Sequence, residues 1–201
     1  MLHQALSAAR EEDDSIDNQL FQNELLENAD LSGLDWTAVT FQKCRFVKCL
    51  FAGSSFFQVR FENCDFSNCS FLGTRWKDCA LTGCKGDGAD LRESHWPGCA
   101  LGDTSLRYAN CAQSMWDGCA LKDCVLRESF WTGCKLKKLT AEGVDLSGVS
   151  FFHTPLSGLD FSSCGIEGLT VSESLSELRG LTIGAHQAID LIKLLGVKVT
   201  L

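Results

Sequence analysis

A period of five residues runs through most of this chain. Counting every fifth residue from Leu31 to Val171 gives 29 positions, and 26 of them hold Leu, Phe, Trp, Ile or Val. The exceptions are Gly86, Cys111 and Ala141. This spacing matches neither the 3.6 residues of an α-helical turn nor the two-residue alternation of a β-strand. The pattern therefore indicates an internal repeat in which the chain turns a corner every five residues and returns above itself.

A longer period of 20 residues lies within the period of five. It is marked by large aromatic residues that recur at every fourth repeat, each preceded two positions earlier by a smaller side chain. A repeat of 20 inside a repeat of five predicts four corners per turn. We interpret these aromatic residues as a structural ladder that fills a closed tube to normal packing density. The ladder consists of Trp36, Phe56, Trp76, Trp96 and Trp116.

Single repeats resemble the unit of the pentapeptide-repeat family, which is a small residue, a polar one, Leu or Phe, and two more polar ones. Residues 29–33 (Ala-Asp-Leu-Ser-Gly) and 64–68 (Cys-Asp-Phe-Ser-Asn) are close matches. The resemblance covers roughly residues 19 to 181. It implies an all-β fold, a right-handed quadrilateral parallel β-helix with four repeats per coil, followed by a C-terminal α-helix.

The repeat divides the chain into three parts. Residues 1–15, in which apolar residues at helical spacing precede an acidic run, are predicted to form an acidic tail or a short helix. Residues 16–181 are predicted to form the β-helix, with an imperfect first coil over residues 16–30. Residues 182–201 are predicted to form a helix and a short strand that cap the rod and join two copies.

The last segment has its own periodicity. Residues 184–195 place apolar side chains on a wide helical surface, Gly196 is predicted to end the helix in a left-handed conformation, and residues 197–199 read as a strand. The segment is similar to the C-terminal dimerisation helix of Qnr-type quinolone-resistance proteins, which implies a homodimer. The predicted interface residues are Ala185, Ala188, Ile189, Leu191, Ile192, Leu194 and Leu195.

The twelve cysteines follow the repeat. Eleven occupy the small position two residues before a repeat centre, and Cys111 occupies a centre. Their spacing lacks the Cys-x2-Cys arrangement of zinc sites, and stacked cysteines have parallel side chains that disfavour disulfides. We therefore expect free thiols that act as small apolar fillers in a reducing compartment, with no metal and no cofactor.

The sequence contains no recognisable catalytic constellation. The four histidines, His3, His95, His153 and His186, are far apart, and none belongs to a nucleophile or metal motif. A filled tube is expected to leave no interior pocket, so we predict that the protein is not an enzyme. No signal peptide and no apolar run of membrane-spanning length is apparent, which leads us to expect a cytoplasmic protein without a membrane contact.

The formal charge of −8 is unevenly distributed. Residues 1–40 hold one basic and nine acidic side chains, residues 41–140 hold fourteen basic and ten acidic, and residues 141–201 hold three basic and seven acidic. The resemblance to Qnr-type proteins implies a DNA-mimicking rod that binds DNA gyrase or topoisomerase IV without binding nucleic acid itself. Four acidic residues would then replace phosphates in a partner saddle: Glu142, Asp145, Asp160 and Glu167.

An alternative function is a scaffold that binds some other protein. Assigning the repeats to four walls places exposed apolar residues in two clusters on one wall, which favours a contact surface. The alternative therefore predicts a partner wall made of Leu50, Leu72, Phe130 and Phe152.

One repeat centre is occupied by glycine. Gly86 and Gly88 lie within three residues and bring no inward bulk. Because glycine weakens strands and often marks a bulge, we expect a locally weakened wall or a small kink there.

Overall fold

The chain winds into a parallel β-solenoid with a coil of 20 residues. The computed structural model describes residues 2–12 and 15–198. Each strand pairs in parallel with the strand 20 residues further on, so that Trp36 lies beside Phe56 and Phe56 beside Trp76. The predicted quadrilateral β-helix with a C-terminal helix is therefore confirmed. We number the four faces by their first complete coil: face 1 contains the centre Trp36, face 2 Phe41, face 3 Phe46 and face 4 Phe51.

Faces 1 and 2 carry the continuous sheets, each of seven strands. The strands of face 1 are Ile16–Asp17, Asp35–Thr37, Ser55–Phe57, Arg75–Lys77, His95–Pro97, Met115–Asp117 and Lys135–Lys137. The strands of face 2 are Leu20–Gln22, Thr40–Gln42, Arg60–Glu62, Ala80–Thr82, Ala100–Gly102, Ala120–Lys122 and Thr140–Glu142.

Faces 3 and 4 are narrower and are joined mainly by single bridges. Face 3 begins with the strands Leu25–Glu27 and Arg45–Val47 and continues through bridges such as Asp65 to Lys85. Face 4 consists of bridges, among them Leu50 to Ser70. The flat surfaces of the rod are therefore faces 1 and 2.

The corners are formed by the residue two positions after a centre. This residue has a positive φ in most repeats, as in Lys43 (φ 53°), Asn63 (φ 53°) and Gly83 (φ 63°). Left-handed backbone is tolerated best by glycine and asparagine, which explains why both recur at this position. The corner amide then donates to the next coil, as Asn63 does to the Thr82 carbonyl at 2.8 Å.

The core is a continuous column of repeat centres and the small residues two positions before them. All twelve cysteines are buried within it as free thiols. The expected weakening at Gly86 is wrong, because its amide donates to the Ser105 carbonyl at 2.8 Å and the ladder continues without a kink. The Phe66 ring and the Leu106 side chain, from the coils on either side, occupy the space that a side chain at residue 86 would need.

A helix closes the N-terminal end of the tube. Helix α1 (Leu2–Glu12) buries Leu2, Leu6 and Ala9 against the first coil. The Leu2 amide donates to the Glu24 carboxylate at 3.4 Å, and the Arg10 guanidinium donates to the Asp30 carbonyl. Of the two predicted possibilities, tail or helix, the described residues adopt the helix. Part of the acidic run, residues 13 and 14, lies outside the described residues.

The C-terminal end is closed by two short turns and a short helix. Helical turns span Ser176–Leu178 and Ala185–Gln187, and helix α2 spans Ala188–Lys193. The side-chain amide of the buried Gln187 donates to the Phe161 carbonyl at 2.9 Å and to the Cys164 carbonyl at 2.5 Å. These two bonds satisfy backbone acceptors of the last full coil. Gly196 has the predicted positive φ, 74°.

The predicted C-terminal strand is wrong where it can be compared. Val197 and Lys198 are in no strand, and residue 199 lies outside the described residues. Both described residues are exposed. Their alternating pattern suits a strand, but a strand needs a neighbouring edge, and within the described residues neither pairs with one.

Candidate protein-binding surfaces

The predicted aromatic ladder lies inside the tube, not on a binding surface. All five residues are buried, and their rings stack along face 1. The Trp76 and Trp96 ring centroids are 4.2 Å apart, and those of Trp96 and Trp116 are 4.6 Å apart with nearly parallel planes. Such stacked aromatic side chains contribute to packing and leave no cage for a ligand.

The thiols are equally inaccessible. Burial raises the pKa of Cys111, Cys124, Cys134 and Cys164, because a thiolate is poorly solvated there. Many of the thiols also donate to carbonyl groups of the preceding coil, as Cys44 does to the Phe21 carbonyl at 3.3 Å. The four thiols with raised pKa values are therefore protonated fillers. Hydrogen bonds from a neighbouring thiol lower the pKa of Cys49 to about 7 and also lower the pKa values of Cys79, Cys84 and Cys119, but all four side chains are buried.

Side-chain clusters that could hold a metal ion are also absent from the described parts of the chain. Within them, no three His, Cys, Asp or Glu side chains lie together as a metal ion would require. None of the helices in these parts is both long and apolar enough to cross a membrane.

The predicted apolar wall lies on face 4 as two separate patches. The exposed fractions are 48% for Leu50, 50% for Phe130 and 40% for Phe152, whereas Leu72 is half-buried. Asp90, which is hydrogen-bonded to the Arg92 guanidinium at 2.7 and 2.8 Å, belongs to the same face and lies between the patches, one coil after Leu72. Face 4 therefore offers two apolar contacts with a polar region between them.

The four predicted acidic residues are divided between two faces. Glu142 and Asp160 line one groove on face 2, and Asp145 and Glu167 lie on face 3. Asp145 accepts two hydrogen bonds from Arg127, at 3.0 and 3.2 Å, so its charge is compensated. Glu142 lies only 3.7 Å from the Lys122 ammonium, although both side chains are well exposed.

Asp160 and Asp145 also have lowered pKa values. At Asp160 the cause is hydrogen bonding to Ser162, whose amide donates at 2.8 Å. At Asp145 burial alone would raise the pKa, but hydrogen bonds from Ser147 and the Arg127 guanidinium outweigh it. Both side chains are therefore ionised at neutral pH.

Several basic residues lie together on face 1. Arg75 and Lys135 share one column of strand residues, and Lys77 and Lys137 share another. Lys77 also lies over the Phe57 ring, 5.2 Å from its centroid. Face 1 is therefore the basic side of the rod, next to the groove that holds Glu142.

The predicted dimerisation residues split into two groups. Ala188, Leu191 and Leu194 are half-buried, and the two leucines pack against the core. Ile189 and Ile192 are each 39% exposed, and Leu195 is 63% exposed. Ala185, in the turn before the helix, is exposed as well. The exposed apolar surface continues into Val197.

One feature of the surface is absent from the sequence-based predictions. Between the coil of residues 135–142 and the coil of residues 155–162, the backbone pairing on faces 1 and 2 stops, and a groove opens. The tube also contains a small apolar cavity of about 10 Å³ behind Ala141, so the expectation of a completely filled interior is wrong at this point. Two residues in the sequence could have indicated these features. Pro155 lacks a backbone donor, which indicates the interrupted pairing, and Ala141 is a small repeat centre, which indicates the cavity.

Comparison with known proteins agrees with the fold. The family model for a pentapeptide repeat region matches residues 54–131. A second family model, for pentapeptide repeats in eight copies, matches residues 117–151. No curated protein sequence matches the chain. The solenoid of 20-residue coils and these two matches define the chain as a pentapeptide-repeat protein.

Among solved structures, the chain resembles a Qnr-type protein. A trypsin-treated variant of QnrB1, a plasmid-mediated fluoroquinolone resistance protein, is 24% identical, with 92% of this chain and 98% of that chain covered and a TM-score of 0.53. HetL, a pentapeptide repeat protein involved in heterocyst differentiation regulation from the cyanobacterium Nostoc sp., is 17% identical, with 89% and 91% covered and a TM-score of 0.42.

Proposed function

We propose that this protein is a rod that acts by binding another protein and not by catalysis. The core is packed with aromatic and aliphatic side chains and buried thiols, which leaves the outer surface and the two ends for interactions. Repeat solenoids commonly use such extended surfaces to bind partners. The function must therefore be argued from surface residues.

The partner that we propose is DNA gyrase or topoisomerase IV. The observation that carries this proposal is the likeness to a fluoroquinolone resistance protein over 92% of the chain. The acidic end of the rod adds support, because the exposed carboxylates of Glu142 and Asp160 line one groove on face 2, where they can replace phosphates. A role of this kind places the protein in the cytoplasm and requires neither a membrane nor direct contact with nucleic acid.

A supercoiling assay with purified gyrase, with and without ciprofloxacin, tests this partner. We expect the protein to change either the rate of supercoiling or its inhibition by the drug. The double variant Glu142→Lys with Asp160→Lys should weaken that effect, and Glu62→Lys, on the same face but several coils away, should not. An unchanged reaction at a large molar excess of protein, repeated with topoisomerase IV, would exclude both enzymes.

We also propose a homodimer formed through helix α2. Ile189, Ile192, Leu195 and Val197 expose an apolar surface at the end of the rod, and a helix of only six residues gains most of its stability from packing. A two-fold contact would cover this surface with the same surface of a second copy.

Light scattering after gel filtration distinguishes a monomer from a dimer. Ile192→Glu should convert the dimer to a monomer, because it places a charge in the apolar contact. Lys193→Glu, on the same helix, is the matched control and should leave the dimer intact. A wild-type protein that is monomeric at micromolar concentrations would contradict this proposal.

A scaffold function for another protein is the second candidate. It is favoured by the two exposed apolar patches of face 4, which the gyrase proposal does not use. The double variant Leu72→Ser with Phe130→Ser should then abolish capture of the partner while gyrase assays stay unaffected. If the double variant still captured the partner, the proposal that face 4 is the binding surface would be wrong.

A further inference from the structure

The backbone pairing between two successive coils is interrupted on two of the four faces. On face 1 the sheet ends at Lys135–Lys137, and on face 2 it ends at Thr140–Glu142. One coil later, residues 155–157 and residues 160–162 are not paired with these strands, although all of them are among the described residues. Two strand edges are thus exposed at the junction with the last full coil.

The same two coils stay joined on the opposite side. On face 3 the Gly165 amide donates to the Val144 carbonyl at 2.9 Å, and on face 4 the Thr170 amide donates to the Val149 carbonyl at 2.9 Å. The later coil also pairs onward, since Asp160 is bridged to residue 182. The opening is therefore a wedge between two otherwise ordered coils and not a frayed end.

Proline explains the interruption on face 1. In the preceding coil, the Lys135 amide donates to the Ser114 carbonyl at 2.9 Å. The equivalent donor one coil later is residue 155, which is proline and has no amide hydrogen to donate to the Cys134 carbonyl.

The interruption extends to face 2. There the Thr140 amide donates to the Cys119 carbonyl at 2.9 Å, but the equivalent bond from the Asp160 amide to the Leu139 carbonyl is not formed in the described chain. The Asp160 carboxylate binds the Ser162 amide at 2.8 Å. The same local bond is present at Asp145, which accepts from the Ser147 amide at 3.0 Å, and there the Asp145 amide still donates to the Cys124 carbonyl at 2.9 Å. The loss of pairing on face 2 therefore accompanies the interruption at Pro155 and is not caused by this local bond.

The wedge opens on face 2 into a groove of about 260 Å³. Its floor is apolar: Leu139 is nearly buried, and Ala141 and the adjacent centre Leu136 are only half-buried, whereas other centres in the middle of the tube are buried. Its walls are polar and acidic, with Glu142 on one side and Asp160 on the other.

We propose that this groove binds an extended peptide that pairs with the free edge of Thr140–Glu142 and carries basic residues on either side of an apolar one. Unpaired strand edges are the sites at which extended peptides add a strand. The apolar side chain would cover Ala141, and the basic side chains would meet Glu142 and Asp160. This site shares Glu142 and Asp160 with the gyrase proposal, but it also uses the unpaired strand edge, which neither the gyrase proposal nor the dimer proposal requires.

The basic residues of face 1 define the main competing occupant. Lys135, Lys137 and Lys138 border the same wedge around the corner, and they would favour an acidic peptide. The groove on face 2, however, is lined by the carboxylates of Glu142 and Asp160, which favour a basic peptide. The charge of the peptide therefore distinguishes the two occupants.

Fluorescence anisotropy with short synthetic peptides tests the proposal. The probe is Lys-Val-Thr-Val-Lys, and two peptides of the same length serve as controls. Glu-Val-Thr-Val-Glu reverses the charge, and Lys-Pro-Thr-Pro-Lys keeps the charge but lacks two backbone donors. We expect both controls to bind at least about tenfold more weakly than the probe. Stronger binding of the acidic peptide, or equal binding of the proline peptide, would overturn the proposal.

Variants of the full-length protein locate the site. Pro155→Ser restores the missing amide, so it should close the wedge, raise the melting temperature and weaken probe binding by about tenfold or more. Glu142→Lys should weaken binding of the probe and strengthen binding of the acidic peptide. Glu62→Lys on the same face should change neither. Probe binding that is unaffected by Pro155→Ser and Glu142→Lys would overturn the site.

The end of the chain is a separate control. Residues 198–200 (Lys-Val-Thr) have the same sequence as the first three residues of the probe. Probe binding that appears only after residues 197–201 are deleted would show that the chain's own end occupies the groove. This result would overturn the proposal that the groove binds a peptide from a separate partner. Equal binding with and without these residues supports it.

Discussion

The indole Nε1 of Trp96 donates a hydrogen bond to the Ser94 hydroxyl, two residues earlier, at 2.7 Å. The hydroxyl in turn donates to the Leu91 carbonyl, so that both buried polar groups are satisfied. The same pairing recurs for the other tryptophans of the tube except Trp36. At Trp36 the residue two positions earlier is Leu34, and its indole nitrogen is buried without a hydrogen-bond partner in the described chain.

This difference predicts unequal costs for replacing two tryptophans of the ladder. Trp96→Phe removes a buried hydrogen bond and reduces the area of two close stacking contacts, and it should lower the free energy of unfolding by about 1–3 kcal/mol more than Trp36→Phe does. Trp36→Phe removes an unsatisfied donor and places there the residue that face 1 already has at Phe56. Urea denaturation measures both values, and equal losses would contradict the interpretation.

The sequence suggests that glycine at residue 86 weakens the wall and that a larger residue would stabilise it. The structure predicts the opposite. A methyl group there would collide with the Phe66 ring and lie 2.8 Å from Leu106 Cδ2. Gly86→Ala should therefore lower the free energy of unfolding by about 1–3 kcal/mol. Gly102→Ala is the matched control, because Gly102 has ordinary φ and open space around it. It should be neutral or raise stability by about 0.4–1 kcal/mol.

The buried carboxylate of Glu177 should make stability depend on pH. Burial alone would raise the pKa of Glu177, but hydrogen bonds from its own amide, the Ser172 hydroxyl at 2.8 Å and the His153 amide at 2.9 Å outweigh it, so the pKa is lowered. A group with a lowered folded-state pKa stabilises the fold above its unfolded-state pKa of about 4.3, and this contribution is lost as the pH falls through the folded value.

The corresponding variant is Glu177→Gln. At pH 7 it should lower the free energy of unfolding by about 1–3 kcal/mol, and the difference from the wild type should shrink below about pH 4. Glu173→Gln is the control, since Glu173 is exposed in the same segment. A difference that stays constant between pH 7 and pH 3 would show that the Glu177 charge has no role.

The thiols should be unreactive in the folded protein. Each of the twelve cysteines is free and buried, and Cys111 is fully enclosed at a repeat centre. We expect negligible rapid reaction with a thiol reagent such as DTNB under native conditions, and reaction of all twelve after denaturation. Rapid native labelling, located by mass spectrometry, would identify a coil that opens.

The fold was predictable because a single period carries it. An apolar residue at every fifth position and an aromatic residue at every twentieth position specify the corner and the coil, and the observed register of 20 follows from both. The three-dimensional context of single positions was not predictable. At Gly86 the sequence shows a missing side chain, but only the structure shows that Phe66 fills the space.

The candidate surfaces were predictable to a smaller extent. Wall assignment by repeat position correctly places Leu50 and Phe130 on one face, but the pairing of Asp145 with Arg127 depends on side-chain conformations that the period does not encode. The wedge on faces 1 and 2 was missed because the count of five is unbroken there. Proline at residue 155 interrupts hydrogen bonds without interrupting the repeat.

The seal that helix α1 forms over the first coil limits how these rods can assemble. With Leu2 and Leu6 buried under that lid, the β-edges at this end are not free to receive another molecule. Growth by stacking the tail of one copy on the head of the next is thereby blocked. The association that we propose, through the C-terminal ends of two copies, would stop at a pair and would not grow into fibres.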